Sequence, residues 1–575
     1  MTHRHFRHEA LFYTLAFLAA LGLRLIQLGA MPLTDAEAAP ALQALRLSMG
    51  AETALDPHPF YILSTSFLFL LFGGGTDFLA RLAPALMGSA LVLAPLLFDD
   101  RLKPRPSLLL AFLLAVDPGL VAISRQAASP IFAIGFSVFA AGFFNRNKPA
   151  LAAVFAALAL LGGPSLWLGL LGIGISWAIY QLYTRPALQK SDTASQPSTS
   201  QPSTFNLQPS TFNFPPSTFL LFIIAFITAG SLFLTVPDGI GAAFASIPAF
   251  IGKWLQPSDI SRGMVLLSLL VYQPLPLLLG ILAVIRGWMK GIRRIVLLSL
   301  WLFVSLLLVI FLPFRQMGDL AWTLLPLNAL AALEFARHFN VAPEERREAA
   351  GAVFLTVFIW ALAWLSFAGM NWFQPDTREY LLRFWMVIGA LALLVMSLLL
   401  IAAGWSIRTA RFGGVWGLTI ALGVLGLGGA FGSAGLRGPN APELWWLPSV
   451  PVQADLLRDS VRQLSELGKG NDYAGQVVIV RLDSPALEWA LRSHPVQVVD
   501  ALDPVSSPDF VITPYEMDPA LVAAYRGQDF AWSQTPLWKS AIPSMWLRWV
   551  TLREMPQTGE TIILWVRDDL FLDGP

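Results

Sequence analysis

Between residues 9 and 435 the chain is a succession of apolar runs separated by short polar breaks. A run of about 20 apolar residues is long enough to cross a bilayer as helix. Judged by apolar length, about thirteen candidate spans lie near residues 9–29, 78–98, 107–123, 129–144, 149–163, 165–183, 218–236, 263–285, 294–313, 317–336, 350–370, 383–404 and 413–435. The stretch from Phe60 to Phe72 is too short to cross and reads as an interfacial helix. After residue 437 the pattern changes to that of a water-soluble domain. Gln453 to Leu467 reads as an amphipathic helix, and Val477–Arg481, Val496–Asp500 and Phe510–Thr513 read as strands. Ser484-Pro485 opens a short helix to Arg492, and Trp546–Leu552 with Thr561–Val566 reads as a closing antiparallel pair. Alternating helix and strand predicts a small α/β sheet.

The expected architecture is therefore a polytopic α-helical membrane protein with a C-terminal α/β domain. Its parts are a membrane core over 1–185 with a first outer loop at 30–77, a linker over 186–217, a second membrane half over 218–436, and the domain at 437–575. The linker repeats one short unit, as in Gln201-Pro-Ser-Thr-Phe-Asn and Gln208-Pro-Ser-Thr-Phe-Asn. Pro, Ser and Thr at this density cannot bury a core, so a disordered segment is expected.

Composition agrees with the membrane reading. Of 575 residues, 55% are hydrophobic and only 13% charged, too few to cover a soluble protein of this size. The net charge of +1 supplies no field for nucleic acid. The absence of cysteine excludes disulfides, thiolate catalysis and Cys-ligated metals. Leu11 to Ala30 follows Arg4 and Arg7 without a small-residue cleavage site and reads as a signal anchor. With the N-terminus in the cytoplasm, the loops holding Arg101/Lys103/Arg105, Arg146/Lys148, Arg286/Arg293/Arg294, Arg337/Arg346 and Arg408/Arg411 all fall inside. An odd span count then places the C-terminal domain outside, in a multi-pass protein of the cell membrane.

This topology gathers polar residues at the outer face: Asp35, Glu37 and His58 in the first outer loop, Arg81, Arg125, Arg315-Gln316 and Asp319, with Arg24 and Asp117 inside apolar runs. Carboxylates there can accept a proton from an incoming hydroxyl, and arginines can clamp a phosphate. Structural alternatives stand beside each: Arg24, Arg81 and Arg125 snorkelling to the interface, Asp35 capping a helix, His58 holding a Pro-rich turn, Asp117 capping a broken helix.

The order of these features resembles the GT-C class of polytopic glycosyltransferases, in the branch of protein O-mannosyltransferases and aminoarabinose transferases. The matching stretches are Leu23-Arg24-Leu25, Pro32-Leu-Thr-Asp-Ala-Glu-Ala38, Pro59-Phe-Tyr61, Leu71-Phe-Gly73, Ala80-Arg-Leu82 with Gly88, Asp117-Pro118, Ile123-Ser-Arg125 and Phe314-Arg-Gln316. Ser484 to Arg492 followed by Pro495-Val-Gln-Val is similar to the flippase-activity-associated members of that class. The resemblance implies a polyprenyl-phosphate sugar donor, a glycan, lipid or protein acceptor, and Asp35 or Glu37 as catalytic base. On that reading Arg125 and Arg315, then Arg81, are the expected phosphate contacts, His58 and Asp117 are further expected substrate contacts, and a divalent cation could bridge Asp35, Glu37 and the phosphate. The adjacent Asp-Glu pair of the class is split here by Ala36. That departure keeps a second reading open: a non-catalytic relative that binds or helps translocate lipid-linked saccharides. A secondary transporter is a third, opposed by the lack of an internal repeat.

Overall fold

The computed structural model describes residues 2–192, 216–339, 345–438, 441–446, 449–503 and 505–571. The repeat-bearing part of the predicted linker, 193–215, lies outside the described residues. Its first residues continue the helix Ser165–Asp192.

The protein is a helical membrane core capped at one end by a sheet domain. Six described helices are long and apolar enough to cross a membrane, or eight if each of two bent pairs is one span. Five more apolar helices have only 10–17 residues. Of the about thirteen candidate spans, several of them short, two are therefore bent pairs, and proline is the reason at both. Pro118 and Pro274 each lack the N–H that would continue the helix before them. Pro104–Val116 and Pro118–Ser124 meet at 58°, and Arg262–Tyr272 and Pro274–Met289 at 94°. The 263–285 stretch is therefore not one straight crossing. A helix at Asp238–Gly252, interrupted in sequence by glycine and Pro248, was not foreseen. Phe60–Phe72 forms the short helix Pro59–Phe72, as expected. The helix Ala321–Phe335 is buried on nearly every face and forms the axis of the core.

The C-terminal domain is a six-stranded mixed sheet in the order β1-β5-β6-β4-β2-β3. Its strands are β1 (Val450–Pro451), β2 (Val477–Val480), β3 (Val496–Val499), β4 (Phe510–Pro514), β5 (Tyr525–Pro536) and β6 (Gln557–Arg567). β2 runs parallel to β3 and β4, while β6 is antiparallel to β4 and β5. The predicted strand at Trp546–Leu552 is instead part of the helix Pro543–Leu552, and β6 pairs with the unforeseen β5. Aromatic and β-branched residues there suggest a strand. Met545, Trp546, Trp549 and Val550 nevertheless fall at helical spacing, and Trp549 is fully buried against Trp538.

The domain is seated firmly on one face of the core, called the domain face below. Trp489 donates to Asp77 at 2.5 Å, Arg492 to the Gly75 carbonyl at 3.0 Å, and Trp549 to the Pro442 carbonyl at 2.7 Å. The Arg553 guanidinium stacks on the rings of Trp549 and Tyr272, and the Tyr272 hydroxyl donates to Glu443.

Candidate functional site

The helix Asp35–Ser48 begins at the domain face with Thr34 as its cap. Glu37 reaches back to the Thr34 backbone N–H and hydroxyl, each at 3.2 Å, closing a capping box. Arg81, on the helix Asp77–Leu91, meets the same carboxylate in a two-pronged pair of 2.8 and 2.7 Å. The Ala127 N–H adds a fifth donor at 3.0 Å. The remaining Arg81 nitrogens go to the carbonyls of Leu28, Met31 and Pro32. Both side chains are nearly inaccessible, at 4% and 1%. A carboxylate with every acceptor position filled inside the protein holds the loop in place; it has no free oxygen for a substrate proton.

Two residues earlier, Asp35 faces elsewhere. A helix turns about 100° per residue, so positions 35 and 37 diverge by about 200°. One Asp35 oxygen accepts from the Ser484 hydroxyl at 2.6 Å and the Ala486 N–H at 3.0 Å, capping the domain helix Pro485–Ala490. The residue borders a cavity of about 560 Å³ between core and domain, lined also by Asp483, Tyr515, Trp532 and Glu560. Asp35 and Glu37 therefore share no pocket. The idea of a cation bridging them does not fit, and among the described residues no group of three or more His, Cys, Asp or Glu could hold a metal.

The other predicted contacts separate in the same way. Arg125 donates to the carbonyls of Leu23, Arg24, Ile26 and Gln27 at 2.8–3.1 Å, satisfying the C-terminal end of the first helix. Arg24 does the same for Leu114 and Ala115, where the next helix breaks. Asp117 caps that break: it accepts from the Leu120 N–H at 2.9 Å, and from Gln273 and Asn328 at 2.8 and 2.7 Å. Arg81, Arg125 and Asp117 are thus consumed by the backbone and by neighbours, because buried helix ends and buried charges need partners.

His58 precedes the helix Pro59–Phe72 and packs against Gly163. That glycine has a φ of +101°, and a Cβ on it would come within 2.6 Å of the imidazole, so only glycine fits. Burial, then the charge of Lys253, pulls the His58 pKa down to about 4. Lys253, which sequence reasoning passed over, donates to Gln316 at 2.9 Å and pairs with the buried Asp319 at 3.3 Å. Asp319 also accepts from Ser165 at 2.9 Å.

Arg315 is different. It lies in the loop after the helix Arg293–Phe311, half-buried, with only long bonds of 3.3 and 3.5 Å to the carbonyls of Ile260 and Leu312. Burial and the nearby Arg262 both lower its pKa. Among the described residues neither arginine makes an ion pair, and Arg262 rests over the Phe311 ring at 5.8 Å. The two guanidinium groups thus lie near each other, with no acidic partner among the described residues. Arg262 opens a helix, a position that normally draws acidic residues, and that mismatch was the available sequence signal. The loop before Arg262 also touches the domain, through Asp259 and Lys539 at 2.7 Å.

No protein-family model and no curated protein sequence matches the chain. Solved structures do. The crystal structure of ArnT from Cupriavidus metallidurans bound to undecaprenyl phosphate aligns with a TM-score of 0.55 at 14% identity, covering 98% of this chain and 99% of that one. The apo form of the same protein gives 0.52 at 13% identity over 88% and 94%. ArnT is an aminoarabinose transferase of the GT-C class. The arrangement of membrane helices and capping domain is thus shared from end to end, and this chain has the GT-C-like fold.

Proposed function

We propose that this chain acts on a polyprenyl-phosphate-linked sugar at its domain face, which is the extracytoplasmic face, and transfers that sugar to an acceptor. The observation that carries the reading is the unpaired Arg262–Arg315 couple at the membrane edge, on the same face as the Asp35 cavity. A guanidinium pair suits a phosphate, which each fork can meet with two bonds. The lipid tail would lie along the helices and the sugar beneath the domain. The acceptor hydroxyl oxygen bonds to the anomeric carbon, the bond from that carbon to the phosphate oxygen breaks, and polyprenyl phosphate leaves. The acceptor proton goes to Asp35, the predicted carboxylate that borders a cavity. Tyr515 and Trp532 with the surrounding carboxylates suit a hydroxyl-rich acceptor.

The second reading, binding or translocation of a lipid-linked saccharide without transfer, is favoured by Glu37. Its engagement with Arg81 leaves Asp35 alone, and Asp35 itself is held by Ser484 and Ala486. The test is one experiment on the purified full chain in lipid nanodiscs. A panel of radiolabelled polyprenyl-phosphate hexoses and pentoses is offered with envelope glycan and lipid acceptors. Label moving to an acceptor, and not moving with Asp35→Asn, supports transfer. Saturable binding with no transfer in either protein supports the second reading. No binding of any donor overturns both.

A further inference from the structure

Another cavity lies on the opposite face of the membrane core, away from Asp35 and the Arg262–Arg315 couple. It holds about 830 Å³ between the start of the first helix, the Leu102–Pro106 turn, and the ends of three later helices. Its charged lining is Lys103, Arg105, Arg286, Arg294 and Arg337 against a lone Glu9. Glu334, just behind, pairs with Arg286 at 2.6 Å and Arg337 at 2.9 Å. Among the described residues, cations outnumber carboxylates in this half-enclosed space. Leu102, Ile292 and Leu333 supply an apolar wall. The same helices expose Leu11 and Ile285, a hydrocarbon-facing surface close in sequence to Glu9 and Arg286.

A second observation is conformational. Lys103 has φ 73° and ψ 154°, a backbone region that glycine alone occupies readily. The following Pro104 accounts for the extended ψ but not for the positive φ. A lysine is therefore held at the cavity rim in a posture that a glycine would adopt without strain. The turn in which it sits joins Asp99–Leu102 to Pro104–Val116.

We propose that this cavity binds the headgroup of an anionic glycerophospholipid from the adjoining leaflet. The arginines meet the phosphodiester, Lys103 closes over it, and the acyl chains run along the apolar wall into the bilayer. A basic hollow between membrane helices is the usual form of such a site. The proposal is independent of the sugar-transfer reading, since it concerns the other face and other residues.

The test uses the full chain in detergent micelles, titrated with phosphatidylglycerol, phosphatidylcholine or inorganic phosphate and read by native mass spectrometry. Phosphatidylglycerol should be retained at least fivefold better than phosphatidylcholine, and low-millimolar inorganic phosphate should not displace it. Lys103→Gly, which removes the charge and relaxes the turn, and Arg105→Gln should each lower that preference about fivefold. Arg346→Gln with Arg347→Gln, basic residues outside the cavity, should not. Equal retention of both lipids overturns the proposal, as does an equal loss from the off-site pair. Displacement by inorganic phosphate would overturn the lipid as the source of the phosphate.

Discussion

Asp35 and Glu37 stand two positions apart on one helix, yet they belong to different regions. Glu37 is in the interior, with Arg81, Thr34 and Ala127 occupying its oxygens. Asp35 lies at the seam between core and domain, beside a cavity and under the helix it caps. Helical phase alone thus sends two carboxylates of one motif into different surroundings, one enclosed by donors and the other bordering a cavity. A buried pair is costly to break, whereas a seam carboxylate can be changed with little loss of fold.

The comparison breaks first at the interior pair. Arg81→Ala leaves Glu37 buried and uncompensated, and should cost about 3–5 kcal/mol, seen as a large drop in melting temperature and in folded yield. Replacing both by apolar residues, Glu37→Leu with Arg81→Met, should recover much of that loss in a double-mutant cycle. At the seam the effects should invert. Asp35→Asn should lower transfer by roughly 10²-fold or more while moving stability by about 1 kcal/mol or less. If Asp35→Asn unfolds the chain and Arg81→Ala does not, the division of roles is reversed.

Smaller effects sharpen the comparison. Arg315→Gln should weaken polyprenyl phosphate binding about tenfold, measured by equilibrium binding in nanodiscs, with the melting temperature unchanged. His58 gives a pH signature. Its folded pKa of about 4 lies below the unfolded value of about 6.5, so the unfolded chain binds the proton first. Stability is then full above pH 6.5 and is lost toward pH 4, at up to about 1.4 kcal/mol per pH unit. Thermal melts of His58→Gln across that range should be flatter than those of the parent.

Much of the architecture is legible in the chain itself. Apolar length marks the membrane helices, and the change of pattern near residue 437 marks the domain. The Ser484-Pro485 cap, β2, β3 and β4 lie where local patterning predicts them. Local signals fail where they conflict. The Trp-rich segment at 543–552 looks like a strand until its helical spacing finds a buried partner in Trp538. The Asp117-Pro118 step announces a break in the chain, whereas Gln273-Pro274 lies inside a stretch that reads as one span; neither step gives its angle, because packing decides how far a broken helix bends.

The site divides along the same line. That charged groups accompany the apolar runs follows from sequence, and so does the phase difference that turns Asp35 and Glu37 apart. Which arginine serves a helix end and which is left without an acidic partner among the described residues does not. Arg24, Arg81, Arg125 and Arg315 are alike as residues in apolar surroundings. Only the folded core brings the carbonyls of residues 23–27 to Arg125 and those of Leu114 and Ala115 to Arg24, while leaving Arg315 beside Arg262. The physical reason is reach: hydrophobic length is a local property of the chain, but satisfying buried charges such as Arg81 and Asp117 takes partners from 44 to 211 positions away, and only tertiary packing supplies them.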